Sequence, residues 1–315
     1  MKKREVIRKN FKALGTDIAV QLVCAESSRN DAEKKLNELQ EFYLSAQKIF
    51  SRFDPESELN KFNQNLGEFN IASEHFLAVA RKILDYYKLS KGVFDPRVIA
   101  VLEQIGYAKD FNQMELFLPT ASELDILGIK FSNLEDDLVI QDETILFNQR
   151  MDFAGIAKGY VTDVAGEMLR QAGWKNFLLD SGGDMLAIGK DADLDAWRID
   201  IEGISQERIL LILQDEAVAT SGIGKRKWQR GEKRFHHLID PKNPHKFSFD
   251  LQSVTVIAKT VTETDFWAKM LFLKGKEDGK KFSSENKLKS IFLDYRGNAW
   301  ISGEMKKVLN HDLAD

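Results

Sequence analysis

Apolar residues recur at Ala157, Tyr160, Val161, Val164, Ala165, Met168 and Leu169. That i, i+3, i+4 rhythm predicts a helix from about Ala157 with one buried face. Gly173 is placed to end it in a left-handed cap. The same rhythm at Ala32, Leu36, Leu39, Phe42, Ala46 and Ile49 predicts a long amphipathic helix, entered through a capping-box-like Asn30 to Glu33. A third helix carries Phe76, Ala80, Ile83 and Tyr87, capped by Ser73 and stopped at Gly92. A fourth covers Thr264 to Leu273. Pro96 excludes helix at Asp95. Strands are expected at Phe11 to Val23, Trp197 to Glu202, Ile209 to Leu213 and Gln252 to Ala258. Ala217 to Gly222 and Phe235 to Pro241 read as strand ends, and Ile291 to Tyr295 with Ala299 to Ser302 as a hairpin. Between 110 and 150, short apolar runs alternate with acidic turns, which suggests further strands. Strands and helices mix without regular βα alternation, which favours an α+β fold of mostly antiparallel sheets packed with helices.

Composition narrows the chemistry. A chain of 315 residues can bury a sizeable core, as a single unit or as two intimate subdomains. The net charge of −4 and the lack of a basic run give no nucleic-acid footprint. No apolar run approaches the roughly 20 residues of a membrane span, so no transmembrane segment is expected. A single cysteine, Cys24, excludes an intrachain disulfide, and five histidines leave oxygen ligands as the expected donors for any metal. The basic start (Lys2, Lys3, Arg4, Arg8, Lys9) is followed by an apolar run broken at Gly15, Thr16 and Asp17. No signal-type apolar region forms there, and a cytoplasmic location is the expectation.

Lys158 stands in the first turn of its helix, where the macrodipole disfavours a cation. The placement makes sense if Lys158 and the free N–H groups of that turn face an anion such as phosphate. Asp152 lies just upstream, and Asp180-Ser181-Gly182-Gly183-Asp184 follows the next strand. Taken alone, this pattern leaves open both a phosphorylated-ligand site and an ordinary solvated turn.

Eight short runs occur together and in order. They are Gly15-Thr16, Ser57-Glu58-Leu59-Asn60, Gly92 to Pro96, Asp152 to Gly159, Gly182-Gly183-Asp184, Ala219 to Gly222, His237 to Pro241 and Ser253 to Val256. The series resembles the ApbE family of flavin transferases, from about Phe11 to Gly275 and beyond. The resemblance implies an ApbE-like fold and an FAD:protein FMN transferase. With FAD as substrate and a magnesium ion, such an enzyme moves FMN onto a threonine of an acceptor flavoprotein, and AMP leaves. It further implies FAD contacts at Leu14, Phe53, Val93, Phe94, Asp95, Asp152, Lys158 and Ile239. His237 is the implied base. The Gly155 carbonyl and Asp265 are the implied metal ligands, and Lys269 stands at the position of a further ligand.

Three departures follow the resemblance. Where the family carries a metal-binding threonine, this chain has Lys269, and a protonated ammonium has no lone pair to offer a metal. Asp265 and Lys269 are i and i+4, the favourable order for a helical ion pair. An acidic-aromatic pair is replaced by Ile223-Gly224, and the Thr-Gly that commonly follows Asp240-Pro241 is absent. Two alternatives to transfer therefore stand beside it: a non-catalytic FAD-binding protein, and a pyrophosphatase releasing FMN and AMP.

Overall fold

The computed structural model describes residues 4–107, 131–201, 209–224 and 226–309. The chain opens with β1 (Arg4–Ala13), β2 (Thr16–Ala25), α1 (Arg29–Phe50), α2 (Glu58–Gln64), β3 (Phe69–Ile71), α3 (Glu74–Leu89) and α4 (Ile99–Gln104). It continues through α5 (Leu134–Asp137), β4 (Leu138–Gln141), β5 (Thr144–Phe147), α6 (Ala157–Gln171), β6 (Phe177–Ser181) and β7 (Met185–Ile188). Then come β8 (Trp197–Asp200), β9 (Leu210–Leu213), β10 (Glu216–Gly222), β11 (Lys227–Arg230) and β12 (Lys233–His236). The last elements are β13 (Leu251–Ala258), α7 (Val261–Lys274), α8 (Lys276–Glu285), β14 (Lys289–Asp294), β15 (Ala299–Ile301) and α9 (Gly303–Leu309). The α+β expectation holds: β1–β2, β2–β6, β6–β7, β7–β10, β13–β14 and β14–β15 all pair antiparallel, and helices pack on the sheets. Of the strands expected between 110 and 150, residues 110–130 lie outside the described part, as does Glu202.

Two compact units form. The first comprises Met1–Ala46, Lys158–Ser221 and Asp250–Asp315. Its eight-stranded sheet runs β1-β2-β6-β7-β10-β13-β14-β15. The β8–β9 hairpin buries Trp197, Ile199, Leu211 and Leu213 against Leu178, Val218, Ile257 and Ile291. Tyr43 of α1 hydrogen-bonds Ser181 of β6 at 3.1 Å, and Thr162 of α6 meets the same Ser181 at 2.7 Å, so two helices are tied to the sheet. Buried polar groups satisfied in this way cost the fold little. The single strand expected at Phe11 to Val23 is a hairpin instead. Ala13 pairs with Thr16, which leaves only Leu14 and Gly15 to turn the chain. Both take left-handed φ, +53° and +69°. A two-residue turn of this hand matches strand twist, and a leucine in it hid the turn from a sequence reading. The capping box is also corrected. α1 already starts at Arg29, so Asn30 and Glu33 lie inside it, and Arg29 reaches Glu5 at 2.8 Å.

The second unit comprises Gln47–Ala157 and Gly222–Phe249. It holds a three-stranded sheet, β3-β5-β4, and the β11–β12 hairpin. Its core is aromatic: Phe62 stacks on Phe76 at 4.6 Å between centroids, and Phe153 meets Phe76 at 5.0 Å. Ser73 caps α3 as expected, accepting from the Phe76 N–H. The β11–β12 hairpin is fixed to α4 and the residue after it, where Trp228 donates to the Ile105 carbonyl and Arg230 to that of Gln104, both at 2.7 Å. Among the described residues no helix is long and apolar enough to cross a membrane.

Candidate functional site

In the first unit, α6 and α7 meet backbone to backbone. A Cβ on Gly159 would lie 2.8 Å from the Thr262 Cα, so only glycine fits there. Asp163 of α6 accepts from the N–H groups of Val261 and Thr262 at 2.8 and 2.9 Å and from the Thr262 hydroxyl at 2.5 Å. It therefore satisfies the free donors at the start of α7 from a neighbouring helix. Lys158 precedes this crossing, and Asp265 and Lys269 follow it along α7.

Lys158 does face an anion, but a protein one: its ammonium pairs with the Asp184 carboxylate. Asp184 closes the glycine turn between β6 and β7. Gly182 and Gly183 there take φ of +70° and +95°, and Gly182 lies against the Thr16 side chain, with no room for a Cβ. Burial pushes the Asp184 carboxyl up to about 6; Lys158 works against that, Asp265 adds to it, and Lys269 lowers it. Asp265 is buried. Its Oδ1 accepts from Lys269 Nζ at 3.2 Å, whereas Oδ2 has no hydrogen-bond partner among the described residues. Both ammonium groups keep about one-fifth of their side chains exposed, at 20% and 18%, against 4% and 7% for their carboxylates. In each pair the lysine side chain is the more exposed partner.

In the second unit, a tight turn presents Arg52 and Phe53. The Asn60 amide donates to the carbonyls of Arg52 at 2.9 Å and Asp54 at 2.7 Å, and Ser57 donates to that of Ser51 at 2.6 Å. The Ser57-Glu58-Leu59-Asn60 run is therefore a clamp on this turn. Arg52 lies 4.4 Å from the Phe53 ring centre and 4.5 Å from that of Tyr107, and pairs with Asp152 at 3.4 Å. Phe53 keeps 39% of its surface exposed, enough to offer a ring. Asp152 and Gly155 belong to a loop pinned by Asn63, which exchanges two hydrogen bonds with Met151. Val93 is half-buried, while Phe94 and Ile239 are buried in the core. The Asp95 carboxylate is taken up by Arg97 through both oxygens, at 3.0 and 2.6 Å.

The two adjacent histidines have opposite environments. His236 is buried, edge-on to Phe247 and Phe249, with Nε2 donating to the Ser248 carbonyl at 3.1 Å. Burial lowers its pKa to about 4, so it stays neutral. His237 is half-buried, with Nδ1 3.3 Å from the Arg226 carbonyl. A carbonyl only accepts, so Nδ1 carries the proton and the neutral ring has its lone pair on Nε2. Of the two, His237 has the form of a base.

The residues do not fit a magnesium ion. Among the described residues no group of three or more His, Cys, Asp or Glu could hold a metal. Of the positions expected to do so in the first unit, Asp265 already has one oxygen taken by Lys269, and a protonated lysine has no lone pair to offer a metal. Sequence reasoning left Arg52 out of the site and named Asp184 only as part of its glycine turn, with no role of its own. Their signals were an arginine between two turn residues and an acid directly after two glycines.

The fold and these clusters define an α+β protein with charged and aromatic groups gathered on glycine-rich turns and helix starts. The chain belongs to the ApbE family, whose model matches residues 14–292. Among its relatives, the FAD:protein FMN transferase of Vibrio cholerae is 28% identical over 252 residues, covering 77% of this chain and 74% of that one. The FAD:protein FMN transferase of Haemophilus influenzae is 25% identical over 312 residues, 96% of this chain and 90% of that one. The fold matches the flavin transferase ApbE from Vibrio cholerae with a TM-score of 0.83 at 24% identity, over 97% of this chain and all of that one. It matches the apo Pseudomonas stutzeri flavinyl transferase ApbE with a TM-score of 0.84 at 21% identity, over 97% of each.

Proposed function

We propose that this protein is an FAD:protein FMN transferase that moves the FMN part of FAD onto a threonine hydroxyl of an acceptor flavoprotein, with release of AMP. The observation that carries the reading is the near-full-length likeness to relatives named for that reaction. On this reading the labour divides as follows. The threonine oxygen attacks the FMN phosphorus, the P–O bond to AMP breaks, and AMP leaves with the bridging oxygen. The hydroxyl proton passes to Nε2 of His237, which the Arg226 carbonyl holds in the required tautomer. Lys158 and Lys269 offset charge on the phosphates. Phe53 offers its exposed ring to the flavin, steadied by Arg52. Leu14 reaches the ligand from its strained hairpin tip, and Asp152 from its pinned loop. Val93, Phe94, Asp95 and Ile239 line the ligand chiefly through backbone, since the last three side chains are buried.

The test is incubation with FAD and an acceptor protein, read by in-gel flavin fluorescence. Wild type labels the acceptor, and His237→Ala loses about 10²–10⁴-fold in rate while still binding FAD. Activity in His237→Ala with loss in His236→Ala would move the base to the other histidine. Free FMN and AMP without a labelled acceptor would mean hydrolysis. FAD held without either product would mean a binding protein.

A further inference from the structure

The Asp265–Lys269 pair is the place where this chain and a metal-dependent reaction part. Asp265 is the only one of the expected metal positions with a carboxylate, and it is buried. Lys269, one helical turn on, donates to Oδ1 at 3.2 Å. The other oxygen, Oδ2, is buried with no partner among the described residues. Asp184, which holds Lys158, lies within electrostatic reach of both Asp265 and Lys269. The four groups therefore make one cluster of two carboxylates and two ammoniums, in which the lysine side chains are the more exposed partners. Such a cluster is already neutral. A magnesium ion is held through one or two carboxylates with waters and substrate phosphates filling its other positions; beside Asp265 it would meet an ammonium on one of the two oxygens, and the Asp184 carboxylate is likewise held by Lys158.

We infer that Lys269 is a built-in replacement for the divalent cation, so that this chain binds the diphosphate of its substrate through Lys158 and Lys269 and needs no metal to do so. The inference rests on the FAD reading for its ligand and on the cluster alone for its metal half. An ammonium set on a buried carboxylate cannot drift away as a hydrated metal can. It supplies one positive charge with donors aimed at anions, where a metal would supply two charges and open coordination positions. The leftover Oδ2 makes the site a single substitution away from a metal site. Lys269→Thr would release Oδ1, remove the repelling charge and add a hydroxyl oxygen.

The experiment has two arms on the full chain. In the first, Mn²⁺ is titrated into wild type and Lys269→Thr without FAD, and free Mn²⁺ is read by electron paramagnetic resonance. Wild type should leave the signal unchanged, and Lys269→Thr should remove about one Mn²⁺ per chain. In the second, FAD affinity is measured by fluorescence with Mg²⁺ and with EDTA. Wild type should bind FAD equally well, within about twofold, in both. Lys269→Met should lose at least tenfold in affinity, with no rescue by Mg²⁺; circular dichroism confirms that it is folded. Stoichiometric Mn²⁺ binding by wild type, or a tenfold loss of its FAD affinity in EDTA, overturns the inference. So does an unchanged affinity in Lys269→Met. If wild type binds no FAD under either condition, the FAD reading fails, and the inference, which takes its ligand from it, fails with it; the Mn²⁺ arm then shows separately whether Asp265 and Lys269 exclude a metal.

Discussion

Arg97 and Lys158 both meet buried carboxylates, and the contrast between them separates a fully enclosed cation from one that stays partly exposed. All five N–H groups of Arg97 are used: Nε and Nη2 on the two Asp95 oxygens, Nη2 also on the Ser132 carbonyl, and Nη1 on Asp137 and the Ser132 hydroxyl. Gln149 donates to Asp137 at 3.0 Å, so the acceptor side is engaged as well. Nothing in that network is left to offer a ligand. The Lys158 cluster is built the other way. Its lysine side chains keep a share of solvent, and Asp265 keeps an oxygen without a hydrogen-bond partner among the described residues. A completed buried network holds a fold in one arrangement, while an incomplete one keeps interactions in reserve. The same contrast explains why Asp95, a strong candidate in the sequence, has a carboxylate fully engaged with protein.

The sharpest way to break this comparison is Arg97→Met. It strands the carboxylates of Asp95 and Asp137 in the interior, and removing one partner of such a network costs about 3–5 kcal/mol. Urea unfolding should show that loss, and Arg97→Lys should recover little of it, because a lysine cannot fork across two oxygens. A loss under about 1 kcal/mol would mean the completed network is ornamental and that exposure, not saturation, is what distinguishes the two clusters.

The next effect comes from pH. His236 has a folded pKa of about 4 against 6.5 in the unfolded chain, because burial disfavours its charged form. Below pH 6.5 the unfolded state takes up a proton that the folded state refuses until about pH 4. Stability should therefore fall as pH drops through that window, by on the order of 3 kcal/mol. Asp184 acts with the opposite sign. Its folded pKa is raised to about 6, so its contribution is present at low pH and is lost as pH rises from 3.8 to 6. The two partly cancel, and His236→Phe should unmask Asp184: denaturant midpoints in that variant should rise as pH is lowered from 6 to 4. A midpoint that still falls with acid would show that Asp184 does not carry the raised pKa.

Most of the helices and strands were legible in the sequence because amphipathic periodicity reports burial, and burial is what the fold preserves. The helix starting at Ala157 and the Ser73 cap are examples. The opening hairpin was not, since a turn that normally asks for Asn-Gly uses Leu14-Gly15 and holds the leucine at positive φ. A motif also does not say whether a side chain is free. Lys158 and Asp95 looked alike as candidates, yet one keeps solvent and the other faces a guanidinium. The difference between His236 and His237 lay wholly in tertiary neighbours, Phe247 and Phe249 against the Arg226 carbonyl.

A smaller change sharpens the open side of the comparison. Gly159→Ala drives a methyl into the Thr262 backbone, which cannot turn aside as a side chain could. Overpacking of this kind costs about 1–3 kcal/mol. It should also move Lys158 relative to Asp265 and so weaken FAD binding. A variant that is destabilised but binds FAD as wild type does would separate the helix crossing from the ligand.

The smallest stability effect should come from Lys158→Met, the counterpart of Arg97→Met. Both remove a cation from a buried carboxylate, but the carboxylates differ in what they can do next. Asp184 already has its pKa raised to about 6, and losing Lys158, which opposes that rise, moves it further up. It can therefore accept a proton and become neutral. The two carboxylates around Arg97 also accept from backbone, serine and glutamine donors, and Arg97→Met would leave that network without its central cation. At pH 5 the variant should lie within about 1 kcal/mol of wild type. As pH rises to 8 the raised acid loses its contribution, so the deficit should grow. FAD affinity should fall at both values, because the ligand contact does not depend on how Asp184 is neutralised. Thermal unfolding at pH 5 and 8, with FAD titration at each, reads all of this. A deficit at pH 5 as large as that of Arg97→Met would show that Lys158 is a completed structural cation after all.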